Sequence, residues 1–160
     1  MSKRADDFQL ETAIADRGFS PGRRDFAELV VLLARDDETV SELAEKALIR
    51  IGPGVAADVA KEIEGAVRPL RARLCRVLGR VGVAEGEAVA VQRLLACIGD
   101  ADAHAERVAM QSLGRMQPQR DRAEIERRLI ARLADGVPIE RLLVDPADGG
   151  KTRPVALAAH

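Results

Sequence analysis

A chain of 160 residues, 47% hydrophobic and 32% charged, predicts one domain able to bury about 70% of its unfolded surface. Three Phe with no Trp and no Tyr leave the core to aliphatics and alanine, which favours closely packed helices over an antiparallel sandwich built from β-branched and aromatic residues. The formal net charge of −1 excludes polyanion binding as a property of the whole molecule, because no surplus of cations exists to release counterions.

From the N-terminus, MSKRADDFQLE has no apolar run of the kind a signal peptide needs. No later window approaches the ~18 consecutive apolar residues of a membrane span, so a cytoplasmic protein without membrane contact is expected. Residues 5–17 carry Leu10, Ala13 and Ile14 on one side, with Gly18 behind them, and read as a lone capping helix. Ser20 and Pro21 form a cap with proline at the first helical position of a helix striped by Phe26, Leu29, Val30 and Leu33. Thr39 with Glu42 fits a capping box for the next helix, whose stripe is Val40, Ala44, Ala47, Leu48 and Ile51. Gly52, Pro53 and Gly54 end this pair.

A second pair carries Val55, Val59 and Ile63, then Leu70, Leu74, Val77, Leu78 and Val81, and closes at Gly82. A third carries Ala88, Val91, Leu94, Leu95 and Ile98, breaks at Gly99, resumes with Ala105, Ala109, Ser112, Leu113 and Met116, and stops before Pro118. Residues 121–135, with Ile125, Leu129, Ile130 and Leu133, make a final helix, and Pro138 to Leu143 add a turn or two. The string DPADGGKTRPVALAAH has paired glycines, two prolines and no periodicity. Residues 145–160 are therefore expected to form a flexible tail and residues 1–144 a single repeat domain.

The second helices of the pairs are alike. Their stripes begin at Val40, Leu70 and Ala105, steps of 30 and 35 residues, with the same offsets i, i+4, i+7, i+8 and i+11 in each. Those offsets are one apolar face of a three-turn helix, and recurrence at this period marks an array of helical hairpins. The segment LLACIGDADAHAERVAMQSLGRM, with two leucines, an aspartate-rich turn, a mid-helix alanine and a terminal Leu-Gly, resembles the HEAT repeat family. It is particularly similar to the short bacterial HEAT-like repeats also found in phycobilisome lyases. Leu113 with Gly114 and Leu78 with Gly79 carry the Leu-Gly feature, whereas Ile49 replaces the glycine in the first pair, and the second pair has Pro69 near the start of its second helix and no aspartate in the preceding turn. The resemblance covers residues 21 to about 135. It implies an all-α fold, a HEAT-like α-α superhelix of about three full hairpins with partial capping helices.

Catalytic groups are sparse. The only histidines are His104, in an inter-helix turn, and His160, at the last position. HEAT-like lysine-derivative hydroxylases hold iron with paired His-Glu motifs, and this chain has no His-Glu dipeptide, so that activity does not carry over. His104 and Glu106 could both be ligands, but without recurring partners the pair reads as a solvated helix start. Ser20, Ser41 and Ser112 have no histidine or glycine elbow beside them. Gly52, Pro53 and Gly54 lack a following Gly-Lys-Ser/Thr, and Gly149, Gly150, Lys151 and Thr152 lack the upstream glycine of a phosphate loop. Cys75 and Cys97 lie in aliphatic stretches rather than in a CxxC pair and read as two small core residues, not as a zinc or redox motif. No catalytic residue, cofactor site or metal site is predicted. The missing Trp and Tyr also remove the groups a base-flipping HEAT glycosylase would stack with, which argues against nucleic acid.

Charge is patterned. No acid falls between Glu64 and Glu85, while Arg68, Arg71, Arg73, Arg76 and Arg80 all do. In the repeat register Arg80 is equivalent to Arg50 and Arg115, and Arg76 to Lys46 and Gln111. Helices stacked about 8 to 10 Å apart would align such side chains in a column, and the HEAT resemblance implies that second helices line the concave surface. Three readings follow. Arginines in a last helical turn complement the macrodipole for about 0.3–1 kcal/mol each, as do the acids Asp36, Asp37, Glu38, Asp100, Asp102 and Glu106 at helix starts. Alternatively, Lys46, Arg50, Arg73, Arg76, Arg80 and Arg115 form a basic face that binds an acidic segment of a protein partner, making the chain a non-catalytic interaction scaffold. The alternative is a bilin lyase-like enzyme or accessory binding a small ligand in the same groove. Self-association through apolar ends is a further expectation, since three units barely meet the minimum for a stable array.

Overall fold

In the computed structural model, which describes residues 10–16, 18–118 and 120–134 with the side chain of 133 excepted, every regular element is helical. Residues 10–15 form α1, followed by α2 (Phe26–Leu33), α3 (Glu38–Ile51), α4 (Ala56–Gly65), α5 (Leu70–Val81), α6 (Glu87–Ala96), α7 (Ala103–Met116) and α8 (Arg122–Ala134). Short 3-10 turns, Arg23–Asp25, Pro53–Val55 and Ala84–Gly86, lead into α2, α4 and α6, so the first helix of each pair is entered in the same way. No described helix is long and apolar enough to cross a membrane. The expected tail at 145–160 and the turn at Pro138 to Leu143 lie outside the described residues.

Two expected caps differ. Pro21 lies outside any helix; Gly22 caps the 3-10 turn instead, its N–H bonded to Asp25 Oδ2 at 2.8 Å. Asp37 rather than Thr39 caps α3, accepting from the Val40 N–H at 3.1 Å. The aspartate two residues upstream is in extended backbone, the conformation from which a side-chain oxygen reaches the third amide of a helix. At the other end of α3, Gly52 takes φ +88°, which a side chain would strain.

The three pairs α2–α3, α4–α5 and α6–α7 each pack as neighbours, and contacts also run between like helices: α4 on α6, α3 on α5, and α5 on α7. The stripes read from the sequence supply most of the core, although Ala88 and Ile130, also placed on stripes, are exposed. Ala44, Ala47, Leu48, Leu74, Val77, Leu78, Val81, Ala105, Ala109 and Leu113 are all buried, each full Leu or Val contributing roughly 1.5–3 kcal/mol relative to exposure.

The α5–α7 interface is the most extensive in the fold, and a single glycine explains its closeness. A Cβ built on Gly79 would stand 2.6 Å from Ser112 Oγ and 3.1 Å from Ser112 Cα, inside van der Waals contact. Ser112 is buried and donates to the Cys75 carbonyl at 3.0 Å. In the preceding unit the equivalent of Gly79 is Ile49, half-buried against the core, and α3 meets α5 over a smaller area. Gly114, the equivalent on α7, has open space where its Cβ would be.

Candidate functional site

Helix α5 begins without an acid and without a side-chain cap. Its first basic residues therefore sit at the positive end of a helix dipole, an unfavourable place for cations, and the next unit compensates. Arg68 Nε lies 2.7 Å from Asp102 Oδ1 and Arg71 Nη2 lies 2.7 Å from Asp100 Oδ2. Asp102 also caps α7, accepting from the His104 and Ala105 N–H groups at 3.1 and 3.2 Å. The aspartate-rich turn thus serves two helix starts.

The other arginines of the predicted basic face divide into two sets. Arg73 Nη1 donates to the carbonyls of Leu33 and Arg35, both at 2.7 Å, and so ties off the C-terminal end of α2, where carbonyls lack partners within the helix. Arg76 Nη1 pairs with Glu45 Oε2 at 2.9 Å, joining α5 to α3 in a half-buried bridge. These two hold the units together. Lys46 lies 3.7 Å from Glu42, one turn away on the exposed side of α3, and Arg50 donates to the Phe19 carbonyl at 3.1 Å while remaining exposed. Arg80 and Arg115 are exposed, in the last turns of α5 and α7, and neither has an ion pair within the described residues.

Glu106, in the first turn of α7, has a side chain only 4% exposed. It accepts from the Gly99 N–H at 2.8 Å and from Arg132 through Nε at 2.5 Å and Nη2 at 3.1 Å. A fork of this kind clamps α8 to the α6–α7 turn. His104 is turned to a different partner: Arg107 Nη2 meets its Nδ1 at 2.7 Å, and burial together with the Arg107 charge holds the imidazole pKa below its ordinary value. His104 and Glu106 do not converge, and among the described residues no group of three His, Cys, Asp or Glu could hold a metal ion. His160, Gly149, Gly150, Lys151 and Thr152 lie outside the described residues.

Among the described residues two clefts stand out. One of about 300 Å³ lies between α4 and α6, lined by Ala57, Ala60, Lys61, Glu64, Val89, Gln92, Arg93 and Ala96. The other, of about 590 Å³, lies between Ile98–Gly99 and the Glu124, Arg127, Arg128, Ala131 and Arg132 side of α8. Neither is lined by any of the six basic residues singled out in the sequence.

Sequence reasoning missed one constellation. Cys75 on α5 and Cys97 at the end of α6 are both buried free thiols with their sulfurs 3.8 Å apart. The signal lay in the register: α5 and α6 are consecutive, and each cysteine occupies an inward position.

Compared with known proteins, the chain matches no family model, no curated protein and no solved structure.

Proposed function

We propose that the chain is a HEAT-type α-solenoid acting as a non-catalytic scaffold, and that it holds an acidic segment of a protein partner on the face carrying Arg50, Arg80 and Arg115. The solenoid reading rests on the packing of like helices on like helices and on the 3-10 turn before each first helix. One observation carries the binding reading. Most arginines of α5 are held by carboxylates or carbonyls of neighbouring units, yet Arg80 and its register equivalent Arg115 are exposed with no acidic partner among the described residues. Arg50, at the same position of α3, leaves one guanidinium edge free of its bond to Phe19.

Exposed ion pairs each contribute about 0.2–1 kcal/mol, so a face of this kind binds weakly and is screened by salt. The test is a titration of the chain against a fluorescent polyglutamate peptide, with Arg80→Glu/Arg115→Glu as the altered face and Arg24→Glu as a control in the 3-10 turn before α2. The double reversal is expected to weaken binding about tenfold, and added salt to do the same. Equal binding by all three proteins refutes the proposal.

A further inference from the structure

Cys75 and Cys97 are 22 residues apart in the chain and belong to different helix pairs, yet their sulfurs meet at 3.8 Å in the core. A disulfide needs about 2.05 Å. The sulfurs must therefore close by about 1.75 Å, and Cys97 lies in the turn after α6 rather than inside a helix. A second feature sets this pair apart from two apolar core residues. Arg71, one turn before Cys75 on α5, pairs with Asp100, three residues after Cys97, and its positive charge bears on both thiols. Its Nε is buried and has no hydrogen-bond partner among the described residues. A cation against a thiol favours the thiolate, which is the nucleophile.

The two thiols are unlike. The contact with Cys75 and the Arg71 charge hold Cys97 down to about 7, against the effect of burial. Either sulfur can donate across the 3.8 Å contact; the contact with Cys97 and burial both push the Cys75 thiol upward. The charged groups facing the pair are Arg71 from α5 and Asp100 and Asp102 from the α6–α7 turn. The surface is near, since the Arg71 and Asp100 side chains are 23% and 20% exposed. A small oxidant needs only a local opening of the turn.

We propose that Cys75 and Cys97 are a peroxide-oxidisable dithiol that closes to an intramolecular disulfide, with Cys97 the attacking and Cys75 the resolving thiol. The Cys97 thiolate attacks one oxygen of hydrogen peroxide; the S–O bond forms, the O–O bond breaks, and the departing hydroxide takes up the thiol's proton and leaves as water. Cys75 Sγ then attacks Cys97 Sγ; the S–S bond forms, the S–O bond breaks, and the hydroxyl leaves with the Cys75 proton as a second water. Two thiols are oxidised and one peroxide is reduced. The bond would fasten α5 to the turn that delivers Asp100 and Asp102 to Arg71 and Arg68. This inference is independent of the acidic-partner reading.

The experiment treats the reduced full chain with hydrogen peroxide at pH 7 without denaturant, and follows the intact mass and the non-reduced peptide map. The expected result is a loss of about 2 Da and a Cys75–Cys97 cross-linked peptide. In Cys75→Ser, dimedone should trap the sulfenic acid on Cys97; in Cys97→Ser, Cys75 should stay unlabelled at the same dose. Arg71→Met should slow thiol loss several-fold at pH 7 and leave it nearly unchanged at pH 10, a split that a purely structural arginine would not produce. If the folded wild-type chain keeps both thiols while an unfolded sample loses them, or if oxidation gives sulfinic acid without the 75–97 link, the proposal is overturned.

Discussion

Gly79 and Gly114 hold equivalent places in the repeat, so alanine at each should separate intrinsic helix propensity from packing. Replacing a helical glycine by alanine gains about 1 kcal/mol in backbone entropy. At Gly114 nothing lies within reach of the new methyl, and Gly114→Ala should stabilise the fold by about 0.5–1 kcal/mol. At Gly79 the methyl would press on Ser112 Oγ at 2.6 Å and on the backbone Cα of Ser112 at 3.1 Å, and Ser112 is anchored by its bond to the Cys75 carbonyl. Overpacking costs about 1–3 kcal/mol. Because backbone and an anchored hydroxyl must move, the upper end applies, and about 3 less about 1 leaves a net loss of about 2 kcal/mol. The two variants should thus differ by about 2–3 kcal/mol with opposite signs. In urea unfolding followed by circular dichroism that is a separation of roughly 1 M or more in midpoint, given slopes of about 1–3 kcal/mol/M. Ser112→Gly in the Gly79→Ala background should recover part of the loss as a non-additive coupling. If Gly79→Ala stabilises as Gly114→Ala does, α5 and α7 are not held at the distance that explains their interface.

Three further outcomes follow from the side-chain partners. Glu106→Gln keeps the shape but removes the charge that Arg132 and the Gly99 N–H address; it should cost about 2 kcal/mol and expose α8 to limited proteolysis before the rest of the chain. Asp102→Ala removes the α7 cap and the Arg68 partner together and should cost about 1–2 kcal/mol, whereas Arg24→Ala, on a side chain 91% exposed, should fall within about 0.5 kcal/mol of wild type. The depressed His104 pKa has a definite sign: the unfolded chain binds this proton first, so stability present above the ordinary imidazole value of 6.5 is lost as pH falls through the lower folded value. Unfolding curves of wild type and His104→Asn should therefore diverge below about pH 6.5 and run parallel above it. Parallel curves throughout would remove the partly buried imidazole from the account.

The helices were legible because their signal is periodic and local. Stripes such as Leu74, Val77, Leu78 and Val81 are the buried face itself, and breaks at Gly52 and Gly82 fall where helices end. The caps were less so, since Thr39 and Asp37 are both good capping residues and only backbone conformation chooses between them. Partners across units were not legible at all. Arg73 and Arg76 share a helical face with Arg80 on a helical wheel, but a wheel does not show that Leu33, Arg35 and Glu45 lie opposite the first two. For the same reason Cys75 and Cys97 read as separate small residues, although the fold joins them at 3.8 Å.

The near-zero net charge has a structural counterpart in these pairs. Helix α5 lacks an acid at its start and takes Asp100 and Asp102 from the next unit, α7 takes its cation from α8 through Glu106 and Arg132, and α3 lends Glu45 to Arg76. Charges on one helix pair are answered by the neighbouring pair, so the partly buried charges are compensated only when the pairs pack as they do here. Arg80 and Arg115 are outside this scheme, and the helix dipole accounts for them at about 0.3–1 kcal/mol each without any partner. The dipole and the binding reading differ in what charge reversal does. If the dipole is their whole role, Arg80→Glu and Arg115→Glu lower the unfolding midpoint and leave affinity for an acidic peptide as it was. If the face binds, affinity falls by more than the stability loss can account for, and it does so at temperatures and concentrations where both proteins are fully folded.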